Sequence, residues 1–186
     1  MYMLGQACGV IGTVITLLQP QFRRKEHILI CTLLNNAMNG LNFLLIGQTG
    51  SAVFLCLVAI VQSMISMRHE RQKTVVSYSE TILFFLLYVG FGFYGMILTE
   101  GFVWAINMQN QIELLPIVGA LMLMLSVFAK NEQRTRVFLL LNGASWAVYS
   151  AIIGATAFFS ATASMISTAI ALWKYRVARV SEVSNS

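Results

Sequence analysis

All twelve lysines and arginines stand in four short clusters, at positions 23–25, 68–73, 130–136 and 174–179. One apolar run precedes the first cluster, and two apolar runs separate each later pair of clusters. If each run is a helix crossing a hydrocarbon layer, two crossings return the chain to the side it left. Every cation then falls on one side. That is the asymmetry of cytoplasmic loops, so the spacing predicts the N-terminus outside and the C-terminus inside. Composition agrees, because the 186 residues are 58% hydrophobic and only 10% charged. A soluble domain carries about a quarter charged residues. The net charge of +5 would also suit a nucleic-acid partner, but the basic residues are confined to links between apolar runs, which argues against one.

A transmembrane helix needs about 20 apolar residues, with about 17 enough in some cases. Seven runs qualify, at roughly 3–21, 28–46, 51–67, 78–98, 113–129, 136–153 and 157–173. The first ends at Gln19-Pro20-Gln21, where proline limits further helix. It carries Gly5, Gly9 and Gly12, which allow close approach of another helix. Gly47-Gln-Thr-Gly50 and Gly154-Ala-Thr156 are tight links that imply antiparallel neighbours. Ser77 and Glu80 have the spacing of a capping box for the fourth run. Trp104 reads as an interfacial anchor, and Glu113 with Pro116 as a helix start. His27 and His69 lie among basic link residues and are expected to be solvated. Cys8, Cys31 and Cys56 lack metal-ligand spacing and read as small buried hydrophobes.

Aligned with itself at an offset of 107, the chain pairs Gly12 with Gly119. Leu33, Leu34 and Asn35 meet Leu140, Leu141 and Asn142; Ile46, Gly47 and Thr49 meet Ile153, Gly154 and Thr156. The third and seventh runs share no identity at this offset. The basic links fall at equivalent places, so the two copies point the same way and the fourth helix inverts the chain between them. The expected fold is an all-α polytopic membrane protein with seven transmembrane helices, as two parallel three-helix repeats joined by a linker helix. Residues 1–75 form the first bundle, 76–112 the linker helix and outer loop, 113–178 the second bundle, and 179–186 a disordered tail.

Asn35, Asn39 and Asn42 share one face of the second helix. Carboxamides cannot face lipid cheaply, so the stripe must face protein or a wet cavity. Asn35 and its repeat partner Asn142 fall near mid-membrane. Trp146 and Tyr149 share the face of Asn142 and could stack on a ring. Two readings stay open: a pocket for a neutral polar solute, or interhelical glue worth roughly 0.6 kcal/mol per bond. Gln62 in the third helix is either a pathway residue or packing, and Asn36, off the stripe, is packing. Glu80 and Glu113 sit at helix starts, where they act as cap or dipole partner. No histidine lies within a run and no HExxH or phosphate-cradling loop occurs, so neither enzyme chemistry nor a metal or other cofactor is expected. The partners expected are the lipid bilayer and a small-molecule solute; homo-oligomers are allowed.

The plan of three, one and three helices resembles that of SWEET and PQ-loop transporters, and Gln19-Pro20-Gln21 looks like a PQ motif. The fifth run reads Ser126-Val127-Phe128 where a second such motif would stand. Glu113-Leu-Leu-Pro-Ile-Val-Gly119, the basic link after the first helix and the Gly47 turn resemble the YgjV family of bacterial inner-membrane proteins over residues 4–176. The resemblance implies an inner-membrane location and carries over no site residues. Alternating access between two bundles is the expected mode of action; the alternative is a membrane interaction protein that transports nothing.

Overall fold

The computed structural model describes residues 2–45, 51–100, 114–152 and 157–184. The links at Gly47–Gly50 and Gly154–Thr156, the anchor Trp104 and the helix start at Glu113 lie outside the described residues. Among those described there are seven α-helices and no strand. They are α1 (Tyr2–Leu18), α2 (Lys25–Leu45), α3 (Ser51–Gln72), α4 (Tyr78–Glu100), α5 (Leu114–Phe128), α6 (Glu132–Ile152) and α7 (Ala157–Ser184). Gln19–Gln21 forms one 3-10 turn between α1 and α2. Met3–Gln21 and Val53–Gln72 are long and apolar enough to cross a membrane by length and composition, each with mean hydropathy 1.3. α5 is apolar but shorter, at 15 residues; the four asparagines of α2 weigh against it in such a count.

Most helices overrun the apolar runs that announce them. α2 begins at Lys25, α3 continues to Gln72, and α6 begins at Glu132. α7 continues to Ser184, through residues 179–184 that the composition assigns to a disordered tail. Hydropathy marks only the apolar stretch, whereas Lys, Arg, Glu and Gln are good helix formers and carry the helix past it. Local polar groups set the ends. Asn131 Oδ1 accepts from the Arg134 amide at 2.8 Å, an N-cap for α6. Glu80 accepts from the Ser77 amide at 2.7 Å, while the Ser77 hydroxyl turns to Ser79, so half of the capping box forms. α3 ends with Lys73 at φ 53°, and the Thr74 amide reaches back to the His69 carbonyl at 3.0 Å.

Pairwise contacts fix the helix directions. Gly9 lies against Asn42, and Gly12 against Asn39 and Asn35, so α1 and α2 are antiparallel. Gly40 meets Cys56 while Lys25 pairs with Glu70 at 3.6 Å, so α2 and α3 are antiparallel too. Phe54 packs on Phe91 and Tyr94 at one end of the α3–α4 pair, and His69 bonds Glu80 at the other. Gly119 faces Trp146 and Asn142 across α5 and α6, and Gly143 faces Met165 across α6 and α7. In contrast, α3 runs parallel to α5, with Gln62 at Met124 and Ser66 at Val127. α7 runs parallel to α1, with Ser167 at Leu17 and Tyr175 at Gln21.

Neighbour follows neighbour in a closed circuit, α1–α2–α3–α5–α6–α7 and back to α1, with α4 packed outside against α3 and α5. The apolar core sits at that three-helix joint: Leu55, Val58 and Ala59 of α3, Phe84 and Tyr88 of α4, Ala120 and Met124 of α5. Large apolar side chains elsewhere point outward. Leu4, Val10 and Val14 on α1, Leu83, Leu86 and Phe93 on α4, and Ile166, Ile170 and Trp173 on α7 are all exposed. Contiguous exposed apolar surface of this kind needs a lipid or protein covering. Hydroxyls within the helices bond to their own backbone four residues earlier, as Thr16 does to Gly12, Ser63 to Ala59 and Thr168 to Ser164. Such bonds satisfy the hydroxyl within its own helix. Every basic cluster lies at the same end of the bundle, where α1, α3, α5 and α7 finish.

Candidate functional site

The asparagine stripe of α2 lies on the seam with α1, and glycine makes that seam possible. A Cβ at Gly12 would stand 2.9 Å from Asn39 Oδ1 and 3.3 Å from Asn35 Oδ1; one at Gly9 would stand 3.0 Å from Asn42 Nδ2. Removing the side chain from α1 thus makes room for the carboxamides. Asn39 Nδ2 donates to Asn35 Oδ1 at 3.2 Å, both residues being half-buried. Asn42 Oδ1 is buried with no hydrogen-bond partner. Asn36 faces elsewhere and bonds the Thr32 carbonyl at 2.7 Å, as a packing residue does.

A second seam repeats the arrangement with different chemistry. A Cβ at Gly119 of α5 would stand 3.1 Å from Trp146 Nε1 and 3.4 Å from Asn142 Oδ1. Asn142 Oδ1 is buried and without a partner. Tyr149 meets Trp146 edge to face, with ring centroids 5.9 Å apart. A buried acceptor with no donor costs about 1–3 kcal/mol. It is the kind of group that a bound donor would satisfy. Asn35 with Asn39, and Asn142 with Trp146 and Tyr149, therefore form two local groups, one on each glycine seam.

Gln62 belongs to neither group. It is fully buried at the joint of α3, α4 and α5, donating to the Met124 carbonyl at 3.0 Å and accepting from the Tyr88 hydroxyl at 2.7 Å. Both ends of its amide are used, which gives it a structural place there.

At the basic end His27 is exposed, as expected. His69 is half-buried and tied, with Nδ1 2.7 Å from Thr74 Oγ1 and Nε2 3.1 Å from Glu80 Oε1, rather than freely solvated. Glu80 stands in the first turn of α4, where its carboxylate accepts from the Ser77 amide at 2.7 Å and lies 3.1 Å from His69 Nε2. Those bonds fit the cap expected of a helix start. Arg136, by sequence one more basic link residue, is 2% exposed. Its Nε donates to the Pro20 carbonyl at 3.1 Å and its Nη2 to the Phe22 carbonyl at 2.7 Å. The guanidinium stacks on Tyr175 at 4.2 Å, and the Tyr175 hydroxyl donates to the Gln21 carbonyl at 2.6 Å. Gln21 Nε2 in turn donates to Ser167 of α7, whose hydroxyl donates to the Leu17 carbonyl at 2.7 Å. Gln19 turns instead to α2 and donates to Thr32 Oγ1 at 2.6 Å. The PQ-like motif is thus knotted into α6 and α7. No sequence pattern links Arg136 to carbonyls more than a hundred residues away. Among the described residues no group of three or more His, Cys, Asp or Glu could hold a metal ion.

A helical bundle with apolar outer faces and its cations gathered at one end has the character of a membrane protein. The chain belongs to the Imp-YgjV family, described as bacterial inner membrane protein, and matches it over residues 3–179. Comparison with the curated proteins and with the solved structures found no match. Membership makes the lipid bilayer a partner of the outward apolar faces.

Proposed function

We propose that the chain is a seven-span transporter or facilitator for a small neutral polar solute, and not an enzyme. In this reading α1–α3 and α5–α7 are two parallel repeats, α4 inverts the chain between them, and the basic end faces the cytoplasm with the N-terminus outside. Paired contacts support the repeat. The offset of 107 carries Asn35, Asn39 and Asn42 onto Asn142, Trp146 and Tyr149, and Gly12 onto Gly119. The gap from Gly12 to Asn35 Oδ1, 3.3 Å, is matched by 3.4 Å from Gly119 to Asn142 Oδ1. The Ile28 amide bonds Arg24 as the Thr135 amide bonds Asn131. Leu17 and Met124 are likewise equivalent, and each accepts through its carbonyl from the other bundle, from Ser167 and from Gln62. An offset of 105 pairs the third helices, setting Ser63 with Thr168 and their like bonds to Ala59 and Ser164.

The observation that carries a solute site is Asn142. Where the first copy pairs Asn35 with Asn39, the second has Trp146 in place of Asn39 and leaves the Asn142 oxygen unmet beside an indole. A hydroxylated or amide solute would supply the donor and stack on Trp146. Asn142→Leu is the discriminating variant. Exchanging an unpaired buried acceptor for an apolar group of similar size is neutral to stabilising. The site reading expects uptake of neutral solutes into proteoliposomes to fall at least tenfold while thermal stability holds or rises. Uptake unchanged in Asn142→Leu and in Asn35→Ala would overturn it. The bonded Asn35–Asn39 pair favours a second reading, in which the amides only join helices and no solute moves.

A further inference from the structure

The two places where the bundles meet have opposite physical character, and we infer that only one of them opens: the α1/α7 seam separates at the basic end, with Arg136 as its latch. At the α3/α5 seam, the Met124 carbonyl takes Gln62, and Gln62 takes Tyr88 from α4. Leu55, Ala59, Phe84 and Met124 close over them. Parting these helices would strand an amide and a phenol in a dry interior and expose the core, which nothing outside can compensate. α4 spans this seam and staples it.

The α1/α7 seam has no such staple. Its ties at the basic end are Arg136 on the Pro20 and Phe22 carbonyls, Tyr175 on Gln21, Gln21 on Ser167, and Ser167 on the Leu17 carbonyl. These carbonyls end α1 and its 3-10 turn, where the helix dipole is negative and a cation is favoured. Among the described residues no carboxylate lies within ion-pair distance of Arg136. Its direct partners are neutral oxygens and a ring, with Glu132 one turn back on α6 acting on it at longer range; a buried guanidinium so held gives up little when water replaces those partners. The seam lies beside the exposed Arg23 and Arg24, so water is at hand. Opening here returns polar groups to solvent; opening at α3/α5 removes them from their only partners.

The seams also differ at one equivalent atom. The Val127 and Pro20 carbonyls correspond at the offset of 107, yet Val127 takes a hydroxyl from Ser66 and Pro20 takes the guanidinium of Arg136. The residue corresponding to Arg136 is Leu29, fully buried and apolar. One bundle therefore keeps a greasy contact where the other keeps a releasable charge.

The latch rests on the two-bundle reading but not on transport. Spin labels at Arg24→Cys and Lys174→Cys report the α1/α7 seam, and labels at Arg68→Cys and Lys130→Cys report α3/α5. The full chain is used in lipid nanodiscs, with Cys8, Cys31 and Cys56 replaced by alanine. Arg136→Ala is expected to lengthen and broaden the 24–174 distances and to leave 68–130 unchanged. Arg136→Lys, which keeps charge but loses the planar fork, and Tyr175→Phe should lengthen them less; they carry the test if Arg136→Ala does not fold. Unchanged 24–174 distances in all three, or equal change at both seams, overturns the latch. Lengthening at 24–174 without uptake of any solute sinks the transport reading and leaves the latch standing.

Discussion

Alanine placed at three glycines should separate close helix contact from mere flexibility. Gly12, Gly90 and Gly119 all lie within helices, so each Gly→Ala change gains about 1 kcal/mol of helix propensity. Their surroundings differ. A Cβ at Gly90 meets nothing within 4 Å. At Gly119 it meets Trp146 Nε1 at 3.1 Å and Cδ1 at 3.2 Å; at Gly12 it meets Asn39 Oδ1 at 2.9 Å. Neither neighbour is the loose end of a flexible chain, because the indole is braced by Tyr149 and the amide is tied to Asn35. Overpacking of this kind costs about 1–3 kcal/mol, which cancels or exceeds the propensity gain. For a chain of this size about 1 kcal/mol moves Tm by roughly 2–4 °C. Gly90→Ala should therefore raise Tm by about 2–4 °C, with Gly12→Ala and Gly119→Ala between no change and a loss of about 8 °C. The assay is thermal unfolding of purified protein at one detergent concentration and one scan rate, since such scans depend on both. If all three variants rise together, the glycine seams are not close-packed and the placement of the asparagines against them is wrong.

Gln62 and Tyr88 should couple. A double-mutant cycle of Gln62→Leu and Tyr88→Phe is expected to give about 0.6 kcal/mol, and no more than about 1.7, the range for hydrogen bonds between membrane helices; zero coupling in the unfolding equilibrium would remove the staple from the α3/α5 joint. Reporter fusions after Lys73 and after Lys174 should both read cytoplasm, and one near Asn107 should not; opposite signals from the first two would refute the even spacing of crossings between basic clusters.

The order of the helices among the described residues was legible because apolar runs and charge clusters are one-dimensional properties. Gly12 and Gly119 were legible for the same reason, as was the shared face of Asn35, Asn39 and Asn42. What Gln62 does was half legible: an amide in an apolar run must be satisfied, but its partners lie on α4 and α5. The partners of His69 and Arg136 were not legible for a single physical cause: a polar residue in a link shows nothing of the helix end that packs over it. For Arg136 the acceptors are backbone carbonyls, which every residue carries and no sequence distinguishes. Helix ends were drawn short for a related reason, since hydropathy stops at the first cations while α3 runs on to Gln72.

If the proposed repeat holds, the exchange of Ser66 for Arg136 at matching carbonyls bears on why two such bundles would share one chain. Two separate three-helix subunits, paired about a twofold axis, would present the same donor at both contacts, and both would hold or release alike. On the proposed two-repeat reading, fusion would lift that constraint. Each half could drift on its own side of the axis, and the extra crossing that keeps both halves the same way up would be free to clamp one contact. Duplication of a three-helix unit would then yield a hinge and a door from one ancestral surface.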